Sequence, residues 1–366
     1  MVHAITTSDL ESRLRAYIDP DLSCDLVTAK AVKNIRLSEK VIALDLVLGF
    51  PIHSIREQWL AGLRSFLESS FPGKKIELQL ITQIETHVGQ STVKALPQIK
   101  NLIAVASGKG GVGKSTIAVN LALALAQEGA AVGILDADIY GPSQPTMLGI
   151  KTRPEIRDKK IIMPINIHGI QAMSIGLLVD ENAAMVWRGP MISMALQQLL
   201  NDTQWEALDY LVIDLPPGTG DIQLTLSQKI PVSGALVVTT PQELALSDVR
   251  RACAMFEKLN VPILGIVENM AGYVCSHCGE TDALFGEGGG EHLAAKFNTQ
   301  VLARFPLDKQ LREETDSGVP PVVKSPEGAY AGQFRRLARQ VAARLSLQAK
   351  SYSHKFPQIK VEKNGL

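Results

Sequence analysis

The chain has 366 residues, 46% of them hydrophobic and 20% charged, and a formal net charge of +0. That length exceeds one compact core and points to about two domains, while the neutral sum gives no pull toward nucleic acid or an anionic membrane. The start, "MVHAITTSDL", lacks the basic-then-apolar pattern of a secretion signal, and no apolar run approaches the ~18 residues of a membrane span, so a cytoplasmic protein is expected.

In chain order, "DLESRLRAYI" at 9–18 puts Leu10, Leu14, Tyr17 and Ile18 on one helical face, and Asp19-Pro20 stops the helix. Two strand-like runs follow, "AVKNIRL" and "KVIALDLVL", the second with Ile42, Leu44, Leu46 and Leu48 on one face. "IREQWLAGLRSFLESS" carries a helical stripe of Ile55, Trp59, Leu63, Phe66 and Leu67. Pro72-Gly73 ends it, and "KIELQLIT" reads as a third strand. The first unit, residues 1–92, is therefore expected to be a small α+β domain of order αββαβ.

A polar, Pro-bearing stretch around "HVGQSTVKALPQIKN" reads as a connection, its core placed at 93–100. Beyond it "LIAVAS", "AVGILD", "YLVIDLP", "ALVVTT" and "ILGIVEN" are apolar on both faces, with helical segments between them. Continuous apolar strands of this kind belong to a mostly parallel sheet covered on both sides, an α/β fold, over residues 101–347. A last helix from about Glu327 carries Tyr330, Phe334, Leu337, Val341 and Leu345, and 348–366 is a polar tail.

The segment "GKGGVGKST" satisfies the phosphate-loop pattern with Gly108, Gly113, Lys114 and Ser115. A strand precedes it and a helix-prone run follows, as the pattern requires. Backbone N–H groups of Gly108, Lys109, Gly110, Gly111, Val112, Gly113 and Thr116 are expected to surround phosphate oxygens. Lys114 would contact the terminal phosphates of ATP and the Ser115 hydroxyl would ligate Mg²⁺. Asp214 ends the strand in "LVIDLPPGTGD", the usual place for an acid that holds Mg²⁺ through water. Asp136 and Asp138 end the second strand, where Asp138 is expected to orient the attacking water. Asn269, the last residue of "ILGIVEN", is a candidate to read the base.

The two-lysine loop, "DADIYGPS" and "DLPPGTGD" together resemble the deviant phosphate-loop ATPases, the group of MinD, ParA and the nitrogenase iron protein. In that group the early lysine reaches across a dimer to the partner's nucleotide, and Lys109 matches it. A cation supplied in trans makes nucleotide binding depend on dimerisation, as an arginine finger does elsewhere.

Cys275 and Cys278 in "GYVCSHCGE" have C-x-x-C spacing between glycines, suited to zinc or an iron–sulfur cluster. Both metals usually want four ligands. His277 and His292 make a one-chain zinc site conceivable, and a redox pair is the other alternative. A two-fold dimer meets the count with two thiolates from each subunit. Cys253 lies in an apolar helical run and reads as core, and Cys24 as a turn filler.

With "WRGPM" and "VENMAGYVCSHCG" added, residues 101–347 resemble the Mrp/ApbC iron–sulfur cluster carriers. Residues 1–92, through "DPDLSCDLV" and "LGFP", resemble the MIP18-related domain that precedes them. The resemblance implies a homodimeric ATPase that holds a 4Fe–4S cluster at its interface. It would take the cluster from an assembly scaffold and pass it to apo-proteins, with no nucleic acid or membrane partner. The competing reading is a MinD- or ParA-like positioning ATPase, which would need a membrane helix or a basic face.

Overall fold

The structure, a computed structural model, describes residues 5–87, 96–158, 160–178, 189–218, 220–275 and 277–350. The first unit runs α1 (Thr7–Arg15), β1 (Val32–Leu37), β2 (Val41–Leu48), α2 (Arg56–Ser70) and β3 (Lys75–Thr82), the expected αββαβ order. α1 opens with a capping box: Thr6 Oγ1 accepts from the Asp9 N–H, and the Asp9 carboxylate accepts from the Thr6 N–H. β1 and β2 pair antiparallel, and β2 and β3 pair parallel with α2 as the crossover. Ile42, Leu44, Leu46 and Leu48 are all buried, as their alternation requires. Ile18 is not: α1 ends at Arg15, the chain turns at Ala16, and Ile18 is 59% exposed.

The second unit holds β4 (Ile99–Ser107), α3 (Lys114–Gln127), β5 (Val132–Asp136), α4 (Gln144–Met147), β6 (Ile156–Arg157), β7 (Ile161–Ile162), β8 (Ile165–Ile167) and β9 (Ile170–Ser174). It continues with α5 (Gly189–Asp202), β10 (Leu208–Asp214), α6 (Asp221–Lys229), β11 (Gly234–Thr239), α7 (Glu243–Lys258), β12 (Ile263–Val274), β13 (Thr281–Asp282) and α8 (Gly289–Lys296). β14 (Val301–Leu307), α9 (Lys309–Asp316), α10 (Pro321–Lys324) and α11 (Ala329–Ser346) complete it. The large sheet has the order β14-β12-β11-β4-β10-β5-β9-β8, parallel except at β8, with β13 paired antiparallel to the far end of β12.

Alternate residues of the central strands serve opposite faces. Ile103, Val105 and Val212 pack toward α3 and α11, whereas Leu102, Ala104 and Leu211 pack toward α5, α6 and α7. That two-sided burial is why these strands read as unbroken apolar runs. The stretch read as a connection is anchored at both ends. β4 begins at Ile99, and buried His87 donates its backbone N–H to Asn101 Oδ1 at 3.0 Å. Residues 88–95, and the tail from 351, lie outside the described residues.

The two units share one apolar core on the α3–α11 side. A polar cluster lies at that junction. Arg339 on α11 donates to Asp21 at 2.9 Å and to Glu128 at 2.6 Å, and Glu128 accepts from the Ser54 N–H and hydroxyl. Glu128 caps the carboxyl end of α3, so the helix that starts at the phosphate loop ends against the small unit.

Candidate functional site: a phosphate loop and a thiol hairpin

The loop from Gly108 to Gly113 leaves the carboxyl end of β4, in the crevice where open α/β sheets bind ligands. Gly108 is buried against the backbone of Asp248 and Val249 on α7, where any Cβ would collide. Gly113 has φ +81° and caps α3, and a Cβ there would strike the Asn269 amide. Val112 is buried, whereas Lys109, Gly110 and Gly111 face solvent. The Lys109 backbone carbonyl accepts from Ser107 Oγ at 2.8 Å, and its ammonium forms no ion pair among the described residues. Ser115 and Thr116 are half-buried in the first turn of α3.

Lys114 is buried, and its Nζ donates to Asp214 Oδ1, an ion pair closed from solvent. Ser115 Oγ lies 3.3 Å from the same ammonium. Gln144, at the start of α4, ties the site together: its amide donates to Asp214 Oδ2 at 2.9 Å and to the Ser115 carbonyl at 3.1 Å. Sequence reasoning passed over Gln144, because a glutamine after a Gly-Pro turn carries no motif signal.

Asp136 is also fully buried. It accepts from the N–H groups of Ser143 and Gln144, from Ser174 Oγ and from the Asp138 N–H. Burial and the neighbouring Asp214 charge push its carboxyl up to about 7, against the pull of the N–H groups. Asp138 stands half-buried beside this pair. Burial raises its carboxyl above the ordinary aspartate range, and the Lys114 charge opposes the rise. Lys114, Asp138 and Asp214 thus lie together in the structure. Asn269 lies against the loop, but its amide is committed to the Val112 carbonyl at 2.9 Å. Thr219, Trp187 and Arg188, within "DLPPGTGD" and "WRGPM", lie outside the described residues.

The site offers hard oxygens, Ser115 Oγ and the Asp214 carboxylate, and a buried Gln144 Oε1 with no hydrogen-bond partner among the described residues. Oxygen donors around one basic side chain suit a magnesium-bound polyphosphate.

The cysteine pair sits elsewhere, in the turn that joins β12 to β13. The Cys275 N–H donates to the Glu280 carbonyl and the Gly279 N–H to the Cys275 carbonyl, both at 2.9 Å, with Gly279 at φ +73° closing the turn. Cys275 is half-buried and Cys278 exposed. The backbone N–H groups of Cys278 and His277, then the Cys278 thiol, pull the Cys275 thiol below its usual value. His277 and His292 are exposed, and among the described residues no three His, Cys, Asp or Glu gather as a metal site. Cys253 is core, its thiol pushed up to about 12 by burial and by Glu257. Cys24 packs half-buried in a turn of the small unit. Among the described residues, no helix is long and apolar enough to cross a membrane.

Residues 98–342 match the family of NUBPL iron-transfer P-loop NTPases, and residues 7–78 match the iron–sulfur cluster assembly protein family. The iron–sulfur cluster carrier protein of Haemophilus influenzae is 48% identical over 347 residues, 93% of this chain and 94% of that one. The carrier protein of Escherichia coli K12 is 50% identical over 336 residues, 92% of this chain and 91% of that one. Among solved structures, a nucleotide-binding protein of Archaeoglobus fulgidus in complex with ADP is 41% identical with a TM-score of 0.55, covering 64% of this chain and 91% of that one. The cell-division ATPase MinD of Pyrococcus furiosus, 23% identical over 66% of this chain and 98% of that one, TM-score 0.50, shares the fold. A phosphate loop completed by buried carboxylates, a separate thiol hairpin and near-full-length relatives agree: the chain belongs to the iron–sulfur cluster carrier P-loop NTPases, the Mrp/ApbC family.

Proposed function

We propose that two copies of this chain hold one 4Fe–4S cluster between their Cys275–Cys278 hairpins and deliver it to apo-proteins, with ATP hydrolysis timing the exchange. The observation that carries this reading is the hairpin itself. It offers two adjacent thiols near solvent, one with a lowered pKa, and no third ligand beside them among the described residues. Two hairpins supply the four cysteine ligands of a 4Fe–4S centre. A soluble assembly scaffold would donate the cluster and the clients would be apo iron–sulfur proteins in the cytoplasm.

At the nucleotide, Lys114 leaves Asp214 for the terminal phosphates. Ser115 and the freed Asp214 would hold Mg²⁺, which supplies charge neutralisation between the phosphates when bound. Asp138 accepts a hydrogen bond from the attacking water and aligns it. Lys109, exposed and unpaired among the described residues, reaches the partner's nucleotide. Asn269 fixes the loop through Val112, and contact with the base would require its amide to release that carbonyl.

Anaerobic reconstitution followed by iron and sulfide analysis tests the reading. The unaltered chain should approach about four irons per dimer, by cluster stoichiometry. Cys275→Ser and Cys278→Ser should bind ATP yet hold no stable cluster, while Cys24→Ala and Cys253→Ala keep it. A full cluster on Cys275→Ser, or stoichiometric zinc without iron, would overturn it.

A further inference from the structure

β12 touches both sites. Its residue Asn269 donates to the Val112 carbonyl and packs on Gly113, the last two loop positions before Lys114. Cys275 follows directly after the end of that strand, six residues past Asn269, at most about 20 Å along an extended chain.

Between them the strand breaks its regularity. Met270 has φ +55°, a left-handed conformation that a side-chain-bearing residue rarely takes. The ladder with β14 also slips there. Asn269 pairs with Phe305 and Tyr273 with Leu307, so four residues of β12 advance against two of β14. The strand is firm on the other side of this bulge. Buried Glu268 accepts from the Gly290 N–H at 2.9 Å and from Arg304 at 3.2 Å. Phe305 is buried and stacks on Phe334 with ring centroids 4.3 Å apart. Beyond the bulge, Tyr273 and Val274 are exposed and β13 offers a two-residue partner. A fixed segment, a contact to the loop, a strained bulge and a lightly held hairpin follow one another along a single strand.

We propose that Asn269 is a positioning residue that carries nucleotide occupancy from the phosphate loop through the Met270 bulge to the cysteine hairpin, within one subunit. This rests on the proposed carrier function and deepens it. Phosphate oxygens draw the loop N–H groups toward themselves, which moves the Val112–Gly113 peptide. Asn269 is bonded to that peptide and follows it. Glu268 stays fixed, so the displacement is taken up at Met270 and tilts the hairpin. Strained residues of this kind are where a switch between two arrangements is stored.

Peptide-resolved amide hydrogen exchange on the full chain without cluster, with and without saturating Mg-ADP, tests the route. In the unaltered chain, nucleotide should slow exchange in the loop 108–116 and change it in the hairpin 271–282. The hairpin change should reach about fivefold, the low end of coupling between sites. In Asn269→Ala the loop response should persist at saturating nucleotide and the hairpin response should vanish. Met270→Gly, which keeps a positive φ, should retain the hairpin response, and Met270→Val, which resists it, should lose it. A residue that only supported the fold or the affinity would not uncouple the two responses at saturation.

A hairpin response that survives in Asn269→Ala would overturn the proposal, as would its absence from the unaltered chain. So would a response that grows with protein concentration, since that travels through the subunit contact. Failure to bind iron would sink the carrier reading while leaving this exchange result standing.

Discussion

At the residue scale the nucleotide site is a balance of one cation against buried carboxylates. Lys114 is the near partner of Asp214, and Asp136 lies close enough for the Asp214 charge to raise its carboxyl. Lys114→Ala should therefore abolish Mg-ATP binding and also destabilise the chain, since removing one member of a buried pair typically costs about 3–5 kcal/mol. Asp138→Asn should bind Mg-ATP normally and hydrolyse it slowly. Calorimetric titration and phosphate release separate the two, and full turnover in either variant removes that residue from its role. Asp136 adds a pH dependence. Its folded pKa is raised from 3.8 to about 7, so its contribution to stability is whole below about pH 4 and is lost as pH rises through about 7. Relative to Asp136→Asn, the unaltered chain without nucleotide should lose stability across that window, by on the order of 1 kcal/mol per pH unit at the steepest. A difference curve of opposite slope would refute the assignment. Asp136 and Asp214 were legible because each ends an apolar strand, and Asp138 because it follows two residues past the end of β5. Gln144 was not, because its role comes from where a short helix after β5 happens to place it.

At the element scale, long patterned segments were legible and short ones were not. β4, β5, β10, β11 and β12 declare themselves by runs that are apolar on both faces, and the structure buries both faces. β13, with two residues, and the β8–β9 hairpin are too short to show a period, and they form because a neighbouring strand offers them a ladder. The Met270 bulge was invisible for a related reason, since its residue type does not ask for a positive φ. The contact between α3 and the small unit was also unread, because it joins residues far apart in the chain. Arg339 neutralises Asp21 and Glu128 there and is itself only 8% exposed. Arg339→Ala leaves two carboxylates facing each other away from water, and denaturant unfolding should show a loss of about 3–5 kcal/mol. Asp21→Asn added to that variant should recover part of the loss. A loss under about 1 kcal/mol, the scale of a surface pair, would show that the cluster is hydrated and not a structural lock.

At the scale of the whole molecule, the two candidate sites lie in one unit and the small unit is docked onto its back. The P-loop helix α3 has its amino end at the nucleotide and its carboxyl end at Glu128, so the small unit is braced by the element that phosphates would engage first. The surplus lysine belongs to this scale, because the loop is complete without it: Lys114 already meets the buried Asp214 carboxylate, whereas Lys109 is exposed and unpaired among the described residues. If Lys109 acts in a partner's site, Lys109→Ala should fold, bind nucleotide more weakly and lose nucleotide-dependent tightening of the dimer. The decisive measurement mixes it with Lys114→Ala. Each homodimer then lacks one lysine at both of its sites. In the mixed dimer the Lys109→Ala subunit keeps its own Lys114 and receives Lys109 from its neighbour, which makes one composite site whole. ATP turnover should rise on mixing toward that of one site per heterodimer, about a quarter of the unaltered rate if subunits pair at random and each site works alone. Turnover that never exceeds the average of the two variants would place Lys109 in its own subunit's chemistry or in none.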